Sequence, residues 1–245
     1  MTTRPVFSVI TVTYNNIDGL TRTGDSIALQ SSSDFEWIII DGGSTDGTKD
    51  YLQSVSAQSV SEKDSGIYDA MNKGIDRSHG DYVIFMNAGD VFSDADILGT
   101  LQKAITAENP DFIYTDALET GGFYKKARSH EQSNWGMFTH HQAMVYKRGL
   151  IGSLRYDQSK KIAADYDFTM RFLKNARNIH YIPCAMCIFE EGGISQQKKR
   201  LGRVEQFHAR RAFKIPAWKN MLIYGVQTCS ATLRDNFPAL YKKLR

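Results

Sequence analysis

The chain has 245 residues, of which 42% are hydrophobic and 23% charged, so it can bury one large core or two small ones and is too apolar for a disordered or collagen-like chain. Its 30 Lys and Arg against 27 Asp and Glu leave a net charge of +3, too mild to argue for nucleic acid. The distribution is uneven: from Lys198 onward 12 basic residues face only Glu205 and Asp235, which leaves the preceding body acidic.

In chain order, residues 6–14 are β-branched and nearly continuously apolar, which predicts a strand covered on both faces. Residues 18–30 carry apolar side chains at 20, 27 and 29 and read as a helix. Residues 35–40 predict a second strand that stops at Asp41-Gly-Gly-Ser-Thr-Asp-Gly, with Thr45 or Asp46 placed to cap a helix over 49–55. Over 66–78, Ile67, Ala70, Met71 and Ile75 share one helical face. Residues 81–86 predict another buried strand, ending at Asn87-Ala88-Gly89-Asp90, and Ser93 is the expected cap of the helix that follows. Strands alternating with helices at this spacing predict an α/β layer fold, Rossmann-like, with a mostly parallel central sheet flanked by helices.

Beyond Pro110 the rhythm loosens. Residues 111–116 and 141–147 are strand-like, 120–130 are Gly-rich and polar, 165–174 are helical, and 179–189 read as a buried strand. That last run holds Cys184 and Cys187, whose C-x-x-C spacing lacks the second ligand pair of a zinc site. With Cys229 they form an odd, sparse set that suits a reducing compartment. No signal-peptide pattern and no apolar run of ~18 residues is found, so a cytoplasmic protein is expected.

Three predicted strands end in acidic, Gly-containing turns: Asp41-Gly42-Gly43, Asp64-Ser65-Gly66 and Asn87-Ala88-Gly89-Asp90. In an open α/β sheet such strand ends line the ligand crevice, so the turns are expected to converge with Thr11, Thr13 and Asn15. Asp and Gly also form turns for conformational reasons alone. A dinucleotide fingerprint is missing after the first strand, Thr48-Lys49 inverts the P-loop order, and no G-x-S-x-G elbow occurs. A mouth lined by carboxylates binds phosphate through a hard divalent cation, Mg²⁺ or Mn²⁺.

Taken together, Ser8-Val-Ile-Thr-Val-Thr-Tyr-Asn15, Ile40-Asp-Gly-Gly-Ser-Thr-Asp-Gly-Thr48, Asp64-Ser-Gly-Ile-Tyr-Asp-Ala-Met-Asn-Lys-Gly74 and Phe85-Met-Asn-Ala-Gly-Asp90 resemble family 2 glycosyltransferases of GT-A fold. The branch they look most like makes bacterial exopolysaccharide and colanic acid. The resemblance spans about residues 6–195 and implies inverting transfer of a sugar from a nucleotide diphosphate. It divides the chain into a GT-A domain over 1–197, with a nucleotide-binding half (1–110) and an acceptor-binding half (111–197), and a tail over 198–245. Thr11, Thr13 and Tyr14 would form the nucleoside pocket, with Asp41 accepting a hydrogen bond from a uracil-like base. Asn72 and Lys73 would hold ribose or diphosphate.

The family's metal motif is D-x-D, where this chain has Asn87-Ala88-Gly89-Asp90. Asp90 is the expected cation ligand and Asn87 a weaker oxygen donor. The catalytic base is expected at Asp165 of Ala164-Asp165-Tyr166-Asp167, with Asp167 as runner-up. His141 would donate to diphosphate or acceptor, and Gly192 and Gly193 would let a loop close over the donor.

The tail sets its cations among Leu201, Phe207, Phe213, Trp218, Met221, Leu222 and Ile223. That pattern suggests a basic amphipathic segment on an anionic membrane, where a lipid-diphosphate-linked or glycan acceptor is presented. No RNA or DNA motif supports nucleic acid as a partner. Two rival readings are a nucleotidyltransferase, although the early basic Gly-rich loop that class needs is missing, and an inactive nucleotide-sugar sensor.

Overall fold

In a computed structural model the structure describes residues 4–190 and 192–237. The parallel half of the sheet is built first. Strand β1 (Phe7–Thr13) is buried along its whole length and lies between β2 (Phe35–Asp41) and β4 (Tyr82–Phe85), parallel to both. β3 (Gln58–Ser61) extends the layer beyond β2, again in parallel. The intervening helices are α1 (Ile17–Ala28), α2 (Thr48–Ser54) and α3 (Ile67–Arg77).

Alternate strand residues feed two cores, as the two-residue period of a strand dictates. Val9, Trp37 and Ile39 pack with Leu20 and Ile27 of α1 on one face, joined by Leu98 and Leu101 of α4 (Ile97–Glu108). Ile10, Ile38 and Ile40 pack with Met71 and Ile75 of α3 on the other, joined by Phe168 and Phe172 of α6 (Ala164–Leu173).

The second half weaves into the same nine-stranded sheet, in the order β3-β2-β1-β4-β8-β6-β9-β5, with β7 on β6. Here β5 is Val91–Phe92, β6 Phe112–Glu119, β7 Tyr124–Lys125, β8 Met144–Lys147 and β9 Ile179–Phe189. The β8 pairings with β4 and β6 are antiparallel, whereas β6 and β9 run parallel through a bulge at Thr115–Ala117. The expected parallel sheet is therefore joined to a mixed second half. The short α5 (Arg148–Ile151) follows β8, and α7 (Ile194–Gln197), α8 (Lys199–Ala212) and α9 (Ala217–Asn236) follow β9.

Three local expectations are corrected. Ser93 does not cap α4: the N-cap is Asp96, and the Ser93 hydroxyl donates to the Ala185 carbonyl. The N-cap of α2 is Gly47, at φ +94°, although Asp46 does accept from the Thr48 N–H and hydroxyl. The strand over 179–189 is only partly covered, with just Met186 and Cys187 fully buried.

The tail is not a separate appendage. Ile223 of α9 and Arg210 of α8 are completely buried, and Gln227 donates to the Trp135 carbonyl at 2.8 Å. A boundary at residue 197 would cut through this packing. Residues 238–245, the remainder of that tail, lie outside the described residues.

Close approach of α3 to β1 rests on Gly74, where a Cβ would meet Ile10 Cγ2 at 2.4 Å. Ile10 is itself fully buried, so it has nowhere to retreat. Gly74→Val is expected to lower unfolding stability by about 1–3 kcal/mol through overpacking, read as a shift in urea midpoint at unchanged m-value.

Candidate active site

The ends of β1, β2 and β3 stand level, with Thr13 paired to Asp41 and Asp41 to Ser61. Two adjoining cavities open above this edge. The smaller, about 460 Å³, is lined by Thr13, Tyr14, Asp64, Ser65 and Gly66. The larger, about 960 Å³, is lined by Asn87, Asp90, His141, Gln142, Asp165, Glu190 and Gly193. Ile67, Tyr68, Lys161 and Ile162 border both, so the two form one continuous cleft.

Most of the expected site residues reach this cleft. The Thr13 hydroxyl is buried at the wall with no hydrogen-bond partner among the described residues, and Tyr14 projects with 65% exposure. Asn87 Oδ1 is likewise buried and unpaired among the described residues. Asp90 is held from two sides, by the Gln142 amide at 2.7 Å and the Glu190 N–H at 2.9 Å. Burial pushes its carboxyl up to about 7 against those two bonds.

His141 stacks on Phe85 with centroids 4.8 Å apart, and its Nε2 lies 2.8 Å from the Tyr156 hydroxyl. Burial drops its pKa to about 3, so the ring is neutral at physiological pH. Gly192, at φ +94°, and Gly193 are exposed, with open space around both.

Besides Gly192, which lines neither cavity, four expected site residues are away from the cleft. Thr11 is completely buried and accepts from the Trp37 indole N–H at 2.9 Å. Asp41 is also completely buried and accepts from Ser44 N, from the Ser44 hydroxyl and from the Ser61 hydroxyl. Asn72 clasps the Tyr156 backbone, donating to its carbonyl at 3.0 Å and accepting from its N–H at 2.7 Å. Lys73 turns to Glu62 and Asp69, 2.8 and 3.6 Å away. These four organise the walls and touch neither cavity.

Two carboxylates line the smaller cavity: Asp69, which pairs with Lys73, and Asp64. Asp64 occupies space left by Gly42, where a Cβ would lie 2.7 Å from Asp64 Oδ2 and 3.2 Å from Tyr14. The motif Asp64-Ser65-Gly66 was a visible signal, but its acid was not singled out.

Asp165 sits at the start of α6, partly open to the larger cavity, and accepts from the Tyr166 N–H at 2.7 Å. Burial is the main cause that raises its pKa to about 6, opposed by backbone hydrogen bonds and aided by nearby Glu205. Asp167 is no rival: it pairs with Arg171 at 2.8 Å and Lys160 at 3.7 Å and lines neither cavity.

The cleft at the strand ends of this α/β sheet thus holds one carboxylate in the turn after β4, Asp90, and a second at the start of α6, Asp165. Residues 8–189 match glycosyl transferase family 2, and the chain belongs to that family. It is a glycosyltransferase of GT-A architecture. A PGL/p-HBAD biosynthesis glycosyltransferase of Mycobacterium bovis is 34% identical over 208 residues, covering 78% of this chain and 79% of the relative. A putative teichuronic acid biosynthesis glycosyltransferase of Bacillus subtilis, TuaG, is 39% identical over 93 residues, 36% of this chain and 37% of the relative.

Two solved structures share the fold. S. aureus TarS 1–349 in complex with UDP-GlcNAc superposes with a TM-score of 0.69 at 18% identity, over 94% of this chain and 74% of that one. The mannosyltransferase PcManGT of Pyrobaculum calidifontis, in complex with GDP-Man and Mn2+, gives 0.65 at 17% identity, over 98% and 78%. The nucleotidyltransferase alternative is set aside by the family match.

The raised Asp165 pKa carries a stability consequence with a definite sign. The folded chain binds this proton more tightly than the unfolded chain, whose carboxyl titrates near 3.8. The folded state is therefore favoured below that value and loses the advantage as pH rises through about 6. Asp165→Asn is expected to raise stability by about 1–3 kcal/mol near pH 8 and by almost nothing near pH 4, measured as paired thermal melts.

Proposed function

We propose that this enzyme moves a sugar from a nucleotide diphosphate donor, a UDP-sugar by preference, to a glycan or lipid-diphosphate-linked acceptor during cell-surface polysaccharide synthesis, with inversion at the anomeric carbon. The observation that carries the reading is the continuous cleft with Thr13, Tyr14 and Asp64 at one end and Asp90 and Asp165 along the other. The nucleoside would lie against Tyr14, its base N–H donating to Asp64 in the place once expected of Asp41. UDP and UDP-GlcNAc bound to TarS and the polysaccharide-related names of relatives support this choice of donor and pathway.

Transfer is a single displacement. The acceptor hydroxyl attacks the anomeric carbon from the face opposite the diphosphate, and its proton passes to the Asp165 carboxylate. The new C1–O bond forms as the bond to the diphosphate oxygen breaks, and the electron pair leaves with the nucleotide. A base with a pKa of about 6 is ionised at neutral pH yet basic enough to take that proton. Neutral His141 has no positive charge to offer and serves as a hydrogen-bonding and packing group.

In the turn after β4 the unpaired Asn87 oxygen and the Asp90 carboxylate would be the two oxygen donors to a divalent cation, Mg²⁺ or Mn²⁺. When bound, such a cation neutralises the charge that develops on the leaving diphosphate. Gln142 and the Glu190 N–H fix the orientation of Asp90.

The acceptor reading is supported by α9. Its inward face buries Asn220, Ile223 and Ala231, and Gln227, Ser230 and Ala231 line the larger cavity. Its outward face carries Trp218, Met221, Leu222 and Val226, exposed by 47–71%. No charged residue occurs between Lys219 and Arg234, so this exposed face lacks the charges of an ordinary solvent-facing helix surface. Exposed Arg211 and Lys214 precede it. No described helix is long and apolar enough to cross a membrane, which leaves peripheral attachment of α9 to the cytoplasmic face of an anionic bilayer.

Two experiments test the reading. Asp165→Asn is expected to reduce UDP release from UDP-sugars at least about a hundredfold with UDP affinity unchanged, and wild-type turnover to fall below about pH 6; equal turnover would remove Asp165 as base. Phosphatidylglycerol vesicles are expected to co-sediment the protein at low salt, and replacing Trp218, Met221 and Leu222 by Ser to weaken this about tenfold. Failure of the wild type to bind these vesicles would overturn membrane attachment.

A further inference from the structure

The start of α6 is held by a carboxylate from outside the region that matches the family. Ala163 occupies the N-cap position and has no side chain with which to satisfy the first N–H groups of the helix. Glu205 of α8, 42 residues further along the chain, instead binds the turn that leads into the helix. Its Oε1 accepts from the Lys161 N–H at 2.9 Å, and its Oε2 from the Ile162 and Ala163 N–H groups at 2.9 and 2.8 Å.

The same turn is gripped from a second direction, by the Tyr68 hydroxyl donating to the Ile162 carbonyl at 2.7 Å. Gly202, one turn before Glu205, lets α8 come so near that a Cβ there would lie 3.0 Å from Ile162 Cγ2. Three charge-assisted bonds on consecutive N–H groups fix position and angle together. Asp165 follows two residues after this turn, and Lys161, Ile162 and Asp165 all face the larger cavity.

We propose that Glu205 is a positioning residue for sugar transfer: it holds the 161–163 turn, and through that turn sets where the Asp165 carboxylate meets the acceptor hydroxyl. The inference rests on Asp165 as the base. Glu205 lines neither cavity and acts only through the backbone it binds. Catalytic geometry in this chain then depends on α8, beyond the matched residues 8–189. A displacement of about 1 Å at a reacting group is enough to change rate strongly without changing affinity for the rest of the substrate.

The test uses the full chain with Glu205→Ala and Glu205→Gln, the second keeping a single acceptor oxygen. Amide hydrogen exchange at 161–163 is expected to quicken about tenfold in Glu205→Ala. Turnover of the UDP-sugar from which the wild type releases UDP is expected to fall about tenfold or more, with UDP affinity within about twofold of the wild type. Glu205→Gln is expected to fall between. In an Asp165→Asn background the Glu205→Ala change should lower turnover no further, because both act at one point.

Unchanged exchange, unchanged turnover, or a loss just as large in the Asp165→Asn background would overturn the proposal. Full turnover of Asp165→Asn alone would instead overturn the base assignment, and the faster exchange of Glu205→Ala would still be seen, which separates the two failures.

Discussion

The site depends on the parallel pairing of β1 with the strands on either side. Because β1 is buried on both faces and pairs in register with β2 over seven residues, the two strands end at one level, and β3 joins them there. Parallel pairing also sends each connection back across the sheet, so every turn at this edge opens a helix or leads toward one. The cleft is thus a consequence of topology before any side chain is considered. Its chemistry comes from residues that the topology delivers to the same edge from 14 to 165.

The layer was legible in the sequence because burial on two faces leaves a continuous apolar record, and helices on one face leave a spaced one. That Asp90, Asp165, Thr13, Tyr14 and His141 reach the cleft was legible as well, since each stands in a turn or helix start beside a strand end. Thr11, Asp41, Asn72 and Lys73 stood in the same motifs and were misplaced. Their partners are remote or local in ways that pattern does not reveal: Thr11 answers to Trp37, and Asn72 to Tyr156, 84 residues away. A motif states which residues are required together. It does not say which of them face the ligand and which hold the wall, because that depends on the direction of each Cβ relative to a sheet that other segments complete.

Gly42 illustrates how a departure at one position is read through another. A second acid there would compete with Asp64 for the same space beside Tyr14. The glycine leaves that space to Asp64, so the carboxylate reaches the cavity from the turn before α3 rather than from the end of β2. A similar substitution of role is seen at Asp90. With asparagine and glycine in place of further acids, its orientation is set by the neutral Gln142 amide and a backbone N–H. Neutral donors hold a carboxylate without cancelling its charge.

The uneven charge of the chain also takes on a structural meaning. The first 197 residues are acidic and hold the cleft carboxyls of Asp90 and Asp165, each raised by burial. The tail answers with opposite sign but in two directions. Inward, Arg210 is fully buried against the neutral amide oxygens of Asn220 and Gln227, at 2.7 and 3.4 Å, and a buried guanidinium among neutral acceptors ties α8 to α9 without consuming an acid. That leaves Glu205, the one acid of α8, available for the turn before Asp165. Although cations surround it in sequence, Glu205 accepts from the N–H groups of the turn just before α6. The fold thus directs the one acid of α8 to backbone N–H groups of the body rather than to the cations beside it in sequence.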